Sequence, residues 1–253
     1  MIQQITVLHF SPTGGTRRAA LLLAKSIAEQ VREIDLTQQQ ISVYHFEADD
    51  VVLAAAPVYG GRLPVFLTER LHACCGGGAR AVAAAVYGGR AYEDALLEMS
   101  DLLAAQNFRV IASAALLAEH SIFHPLAAGR PDAQDAAQLA AFGARIADKL
   151  TAGEVTPPSV PGAHPYKSWG GMAAVPLAAG TCTACGLCAR QCPAQAIPSE
   201  TPRETDAARC IRCMRCVSQC PHQARVLPAE VSAMLGKKLS PLLEERKENE
   251  LYL

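Results

Sequence analysis

The chain of 253 residues is 50% hydrophobic and 19% charged, and its formal net charge at pH 7 is −1. This composition excludes a disordered tail or a fibre and predicts one or two globular domains. The balanced charge gives no overall basic field, so nucleic acid is not an expected partner. No apolar run approaches the roughly 18 residues of a membrane-spanning helix, and the N-terminus has no export-signal pattern. A cytoplasmic protein without a membrane span is therefore expected.

The first 150 residues alternate short β-rich runs with longer helical stretches, which predicts a parallel sheet covered by helices on both faces. The predicted strands are Ile5–Phe10, a weak one within 32–44, Val51–Ala56, Ala81–Tyr87 and Arg109–Leu117. The predicted helices are Thr16–Gln30, Pro64–His72, Tyr92–Gln106 and Asp132–Leu150. Five strands over residues 1–150 favour a small doubly wound α/β domain.

Composition divides the rest of the chain into three parts. Residues 151–176 are rich in proline and glycine and nearly uncharged, which is typical of a linker, and Trp169 is expected to pin it to one domain. Residues 177–228 hold eight of the ten cysteines and predict a metal-bearing domain, which the resemblance given below implies is a small α+β domain. Residues 229–253 mix basic and acidic side chains and predict a solvated helical tail.

The eight clustered cysteines form a repeat. CTACGLCARQCP and CIRCMRCVSQCP both read C-x2-C-x2-C-x3-C-P, and Cys182 recurs as Cys210, 28 residues later. Three closely spaced cysteines can bind three corners of a four-iron cube, while the fourth, followed by proline, reaches the other cluster. We therefore assign the cysteines to two [4Fe–4S] clusters: Cys182, Cys185, Cys188 and Cys220 to one, and Cys210, Cys213, Cys216 and Cys192 to the other.

Two structural zinc sites, or free thiols, are the alternatives. Zinc sites usually take cysteines as two separated pairs, so the spacing favours iron–sulfur clusters. The motif resembles the bacterial two-cluster ferredoxins over about 50 residues, which implies a low-potential one-electron carrier. Arg212 and Arg215 inside the second motif could make the two potentials unequal, but we expect both to be solvated. Cys74 and Cys75 lie apart and are expected to be idle thiols.

A turn rich in glycine and hydroxyl groups follows the first strand and precedes a helix. Such a turn directs backbone N–H groups at one point, where a phosphate can bind. It lacks the lysine of a Walker loop and the G-x-G-x-x-G of a dinucleotide site, so a monophosphate is favoured. A helix start capped by threonine is the alternative. The candidate ligands are Ser11, Thr13, Gly14, Gly15 and Thr16.

Two later loops follow strands whose carboxyl ends meet at the ligand edge of a doubly wound sheet, and each contains Tyr-Gly-Gly-Arg. Tyrosine can stack on a flat ring, glycine lets backbone amides approach it, and arginine can stabilise negative charge on it. Tight turns that need glycine are the alternative. The candidate ring-binding residues are Pro57, Val58, Tyr59, Gly60, Gly61 and Arg62, and Tyr87, Gly88, Gly89, Arg90 and Tyr92.

The first loop resembles that of flavodoxins, which reads close to [ST]-x-T-G-x-T and holds the 5′-phosphate of FMN, with Gly15 where many flavodoxins have asparagine. The resemblance implies FMN and the sheet order 2-1-3-4-5. With both cysteine motifs, PVYGGRLP, YGGRAYEDAL and the closing KENELYL, the whole chain resembles flavodoxin-like proteins fused to a C-terminal two-cluster ferredoxin. That family implies FMN and two [4Fe–4S] clusters rather than a substrate.

His120 follows the last predicted strand and is the candidate catalytic residue, as a proton donor at the flavin edge; a hydrogen-bonded loop histidine is the alternative. The first functional hypothesis is an electron-transfer flavoprotein serving a redox partner protein. The second is an FMN-dependent reductase of a small acceptor such as a quinone, and the third is a dedicated donor subunit of a reductive or radical enzyme. Oxygen-sensitive clusters favour an anaerobic host, and the oligomeric state is left open, a homodimer included.

Overall fold

The computed structural model describes residues 1–168, 170 and 174–253; Trp169 lies outside the described residues. The strands are β1 (Ile2–His9), β2 (Ala28–Asp35), β3 (Tyr44–His45), β4 (Val51–Pro57), β5 (Cys74–Cys75), β6 (Arg80–Tyr87), β7 (Arg109–Leu117), β8 (Leu177–Ala178), β9 (Arg225–Val226) and β10 (Glu250–Tyr252). The helices are α1 (Gly15–Ile27), α2 (Val65–Leu71), α3 (Ala95–Ala105), α4 (Ala133–Thr151), α5 (Leu187–Gln191), α6 (Arg215–Ser218) and α7 (Ala229–Leu239), followed by a 3-10 turn at Ser240–Glu244.

The central sheet has six strands in the order β10-β7-β6-β4-β1-β2. Strands β2, β1, β4, β6 and β7 are parallel, and β10 pairs antiparallel with β7. Two small pairs, β3 with β5 and β8 with β9, lie outside this sheet. The five parallel strands, numbered along the chain, follow the order 2-1-3-4-5, which is the doubly wound arrangement of flavodoxin-like folds.

An apolar layer packs against each face of the sheet, so its central strands are buried on both sides. Leu23 and Ile27 of α1 pack with Ile146 of α4 in one buried cluster. Leu67 of α2 and Leu96 of α3 belong to the cluster on the other face. The buried positions of α1 recur every three or four residues, which is the pattern of a helix with one apolar face.

Helix α4 begins at Ala133, one residue after the predicted start, and Asp132 is its N-cap residue. Asp132 accepts a hydrogen bond from the Asp135 N–H, and Asp135 accepts one from the Asp132 N–H, which completes a capping box. Arg130 is 4% exposed, pairs with Asp135 and donates to the carbonyl of Lys247 in the C-terminal segment at 2.6 Å.

The linker composition of residues 151–176 does not mean a detached segment. Asp94 accepts hydrogen bonds from the N–H groups of Ala163 at 3.0 Å and Lys167 at 2.7 Å. The Arg62 guanidinium lies over the Tyr166 ring, 4.6 Å from its centre. Part of the expected linker is therefore docked on the N-terminal region, residues 1–150.

The expectation of a helical tail over residues 229–253 holds for α7 and is wrong for the end of the chain. Residues 250–252 form β10 at the edge of the central sheet, next to β7. Asn249 is 4% exposed, donates to Asp135 at 2.9 Å and to Gln138 at 2.6 Å, and accepts from the Leu117 N–H at 2.8 Å. These buried hydrogen bonds hold β10 at the edge of the sheet. The strand was not predicted because three residues are too few to show an alternating pattern in the sequence. Among the described residues no helix has the length and apolarity needed to cross a membrane.

Candidate functional site

Four loops at the carboxyl ends of β1, β4, β6 and β7 enclose one cleft, called the loop cleft below. This is the edge at which open α/β sheets bind ligands. Its lining residues are Pro12, Thr13, Gly15, Thr16, Pro57, Val58, Tyr59, Gly60, Val86, Tyr87, Gly88, Arg90, Ala91, Ala118, Glu119, His120 and Ser121. The fold thus brings together ten of the sixteen residues assigned to cofactor binding, and it adds Pro12, Val86, Ala91 and Ala118, which the sequence did not single out.

The turn after β1 leaves the start of α1 open to a ligand. Gly14 is the N-cap residue, and its φ of 91° favours glycine. Because glycine has no side chain, the N-cap position makes no side-chain hydrogen bond to the helix. Ser11 is buried below the turn, where its Oγ accepts from the Arg17 N–H at 2.9 Å. A Cβ on Gly15 would lie 3.2 Å from the Ala118 Cβ, so a larger residue fits poorly. The threonine-capped start that we kept as an alternative is not what the structure contains.

In the second loop, Tyr59 lines the cleft and Arg62 does not. The Tyr59 and Arg62 N–H groups donate to each other's carbonyl, at 2.8 and 3.2 Å, so the chain between them is a tight turn. Gly60 and Gly61 both have positive φ there. The Arg62 guanidinium makes two hydrogen bonds to Glu98, at 2.7 and 2.8 Å. The predicted role of Arg62 beside a ring is therefore wrong, because its charge is used to hold α3.

In the third loop, Tyr87, Gly88 and Arg90 line the cleft. A Cβ on Gly88 would lie 2.7 Å from both Cα and Cβ of His120, so only glycine fits. Gly89 and Tyr92 lie elsewhere: the Tyr92 hydroxyl is 2.8 Å from the hydroxyl of Tyr252 in β10. Tyr92 therefore belongs to the contact with the closing strand rather than to the cleft.

His120 lies in the cleft with its protonation fixed by the backbone. Its Nδ1 accepts from the N–H groups of Ile122 at 3.2 Å and Phe123 at 3.0 Å. Burial, reinforced by the charges of His124 and Arg90, lowers the pKa of His120 to about 4. The imidazole is therefore neutral at pH 7 and carries its proton on Nε2, where it can donate a hydrogen bond but cannot act as a cationic acid.

The eight clustered cysteines line two separate cavities. Cysteine group I (Cys182, Cys185, Cys188 and Cys220) lines one, and cysteine group II (Cys192, Cys210, Cys213 and Cys216) lines the other. Each set of four is the one assigned from the spacing. The fourth cysteine of each motif belongs to the group formed by the other motif and is called its crossing cysteine. Each crossing cysteine accepts a hydrogen bond from a backbone N–H: Cys192 from Ala196 at 3.3 Å, and Cys220 from Ala224 at 3.2 Å.

The donor arrangement fits four-iron clusters better than zinc. Among the described residues, no three His, Cys, Asp or Glu side chains converge closely enough to hold a single metal ion. Four thiolates on one tetrahedral zinc lie about 4 Å apart, given a Zn–S bond of about 2.3 Å. Thiolates around a cube bind four different irons and must stand farther apart. The four sulfurs that line each cavity are the donor set that a four-iron cluster takes.

Arg225 organises the cysteine segment, residues 177–228, from within. It is 2% exposed and donates to the hydroxyl of Thr205 at 2.8 Å and to the carbonyl of Glu204 at 3.1 Å. It also donates to the Pro202 carbonyl. This role was not predicted from the sequence. The feature that could have indicated a buried arginine is its position in a short apolar run after the last motif.

Group II faces the loop cleft. Ile211 packs against the apolar cluster of the N-terminal region, and Gln39 donates to the carbonyl of Cys192 at 3.1 Å. Arg215 Nη1 donates to the carbonyl of Pro12 in the first loop at 3.3 Å. Burial raises the pKa of Tyr59, and the neighbouring Cys213 thiol raises it further. Arg215 is thus half-buried at a junction rather than solvated as expected.

Cys74 and Cys75 lie apart from both cavities, and Arg212 is half-buried in the lining of the group II cavity rather than solvated as expected. Burial raises the pKa of the Cys74 thiol to about 11, which keeps it protonated and unreactive at pH 7. Cys75 is exposed. Arg212 donates to the carbonyl of Cys210 at 2.7 Å, within its own loop.

The site therefore joins a doubly wound region with a cleft at its ligand edge to a segment with two thiolate-lined cavities. A family model described as a 4Fe-4S dicluster domain matches residues 181–225, inside the segment expected to carry the clusters. No curated protein sequence matches the chain.

Solved structures resemble the N-terminal part. A flavodoxin from the domain Archaea has 13% identity and a TM-score of 0.41, covering 59% of this chain and 99% of its own. A flavodoxin from Streptococcus pneumonia TIGR4 has 17% identity and a TM-score of 0.40, covering 58% of this chain and 99% of its own. Rubredoxin oxygen:oxidoreductase from Desulfovibrio gigas has 14% identity and a TM-score of 0.41, covering 59% of this chain and 36% of its own.

Proposed function

We propose that this protein is an electron-transfer flavoprotein that relays electrons between two [4Fe–4S] clusters and FMN, to or from a partner redox protein. The observation that carries the proposal is the position of group II against the loop cleft, with Arg215 donating to Pro12 of the first loop. One-electron and two-electron centres held so near each other exchange charge without diffusing together.

Groups I and II would each hold one cluster, which supplies single-electron transfer when bound. The protein around each cavity would adjust the reduction potential of the cluster. The Ala196 and Ala224 N–H groups donate to the crossing cysteines and stabilise negative charge on their sulfurs. The apolar walls of both cavities limit access by water.

The loop cleft would hold FMN, which supplies a centre able to take up one or two electrons when bound. The open start of α1 and the hydroxyls of Thr13 and Thr16 suit its phosphate. Tyr59, Tyr87 and Arg90 suit its ring. His120 holds a proton at Nε2 and offers it as a hydrogen bond to whatever occupies the cleft.

One further observation favours the reductase hypothesis as a second candidate. A groove adjoins the loop cleft and shares Thr13, Gly15, Glu119 and Ser121 with it. Its other walls come from the outer face of α1 and from Val217 and Ser218 of the cysteine segment. A small acceptor such as a quinone could approach the cleft through this groove.

Anaerobic reductive titration tests the relay. Two clusters that take one electron each and a flavin that takes two give about four electrons per chain. A total near two, or absorbance changes from only one kind of centre, would reject the proposal. Turnover with quinones or other small acceptors favours the reductase, whereas reduction without turnover until cell extract is added favours a dedicated donor subunit.

A further inference from the structure

We propose that the cluster of group II is the one that exchanges electrons with the flavin, that the cluster of group I is the outward port for the partner protein, and that Arg215 is the residue that positions the inner junction. This inference rests on the proposed function and adds the order in which the centres exchange electrons. The repeat itself does not give that order, because both motifs have the same spacing.

The contacts of group II with the N-terminal region come from three places in its binding loops. Ile211, between two ligands, packs against the apolar cluster that contains Leu8, Phe10 and Leu63. Gln39 holds the carbonyl of Cys192 at 3.1 Å. Arg215, between the ligands Cys213 and Cys216, donates to the carbonyl of Pro12 in the first loop at 3.3 Å. Cys213 itself is 8% exposed.

Group I has more exposed surroundings, and it contacts the N-terminal region through the hydrogen bond from Gln39 to the carbonyl of Ala189, next to Cys188, at 3.0 Å. Cys185 is exposed, whereas its equivalent in the repeat, Cys213, is buried. Within the described residues, the hydrogen bonds to the carbonyls of Cys182 and Cys185 come from Arg203 and Arg190, both of the cysteine segment. This cluster therefore lies where a partner can approach it.

Arg215 is one of the points at which the repeat loses its symmetry, and it reaches the N-terminal region. Its equivalent 28 residues earlier is Leu187, which has no charge. The Arg215 side chain lines the cavity of group II and reaches the carbonyl of Pro12, which lines the loop cleft. A positive charge between a thiolate-bound cluster and a phosphate site attracts both and keeps them close.

The electron path then has two internal steps. With both clusters and FMN bound, group I would hold the centre that accepts an electron from a one-electron donor protein, and group II would hold the centre between it and the flavin. In each step the donor centre loses one electron and the next centre gains it. A second electron by the same route completes flavin reduction, with protons taken from water.

The test uses two cysteines at equivalent repeat positions, Cys213→Ser and Cys185→Ser, in the full chain after iron and FMN have been measured. A laser flash with photoexcited 5-deazaflavin delivers single electrons, and flavin absorbance then reports their arrival. The parent protein should show a phase whose rate is independent of protein concentration. The small 5-deazaflavin radical can reduce either cluster, so this phase should be lost in Cys213→Ser, whereas in Cys185→Ser a smaller phase from the cluster of group II should remain. Loss of the phase in Cys185→Ser alone, or an unchanged phase in Cys213→Ser, would overturn the inference.

A second test is needed because a cysteine variant could lose both clusters. It removes a charge and leaves all eight cysteines in place. Arg215→Gln should slow the intramolecular phase several-fold with iron content unchanged. Arg209→Gln is the matched control, because Arg209 is exposed in the same segment and its one side-chain contact is 3.5 Å long. An unchanged rate in Arg215→Gln would refute its positioning role. Missing FMN or iron in the parent protein would instead refute the proposed function.

Discussion

The N-terminal region buries an apolar layer on each face of its sheet, whereas the cysteine segment has little core of its own. In residues 177–228 the large apolar side chains that are buried are Ile197 and Met214. The remaining interior is formed by thiols, small residues and Arg225. The first region is stable through hydrophobic burial, and the second depends on what its cysteines bind.

Removing the metal gives the largest expected difference between the two regions. Oxidative bleaching with a chelator should unfold residues 177–228, because about 50 residues with so small a core need a metal or disulfides. Residues 1–150 should stay folded. Hydrogen–deuterium exchange read by peptide mass would show full exchange in the first and protection in the second. Protection of both would mean that the cysteine segment does not depend on clusters.

Asn249→Ala tests the chain end that joins the two regions. The change leaves the buried Leu117 N–H without its acceptor and removes one of the donors to Asp135, which keeps its bond from Arg130. Unsatisfied buried groups of this kind cost about 1 to 3 kcal/mol each in the free energy of unfolding. Urea unfolding followed by circular dichroism should therefore show a clear loss. Gln134→Ala, on an exposed part of α4, is the control and should change stability by less than about 0.5 kcal/mol.

Thr13→Val with Thr16→Val tests whether the cofactor sites are separate. Both side chains line the loop cleft and neither touches the cysteine cavities. The double variant should release FMN and keep its iron. Thr156→Val, in an exposed segment, should keep both. Loss of iron together with FMN from the double variant would show that the division of the chain is wrong.

The acid response of the N-terminal region is an effect expected only below neutral pH. Because folding lowers the pKa of His120 from 6.5 to about 4, the unfolded chain binds a proton that the folded one does not. Stability from this residue is complete above pH 6.5 and falls as the pH is lowered toward 4. Burial also lowers the pKa of His9, so His120→Gln should reduce this acid sensitivity without abolishing it. An unchanged slope of unfolding free energy against pH would contradict the burial of His120.

The sequence predicted features that depend on local spacing. The two cysteine sets were assigned from short intervals, and the cleft loops followed from glycine-rich turns after apolar strands. Features that depend on distant partners were missed. Arg62 was placed in the cleft because Glu98, which binds it, lies 36 residues away. Strand β10 and Asn249 were missed because three residues carry no period, and their partners belong to other elements.

The account rests on the coexistence of both kinds of cofactor in one chain, and the stoichiometry of anaerobically purified protein measures this directly. Two four-iron clusters and one flavin predict about eight iron, about eight acid-labile sulfide and about one FMN per chain. Zinc in place of iron, half that iron content, or protein without flavin in an oxygen-free preparation would contradict it.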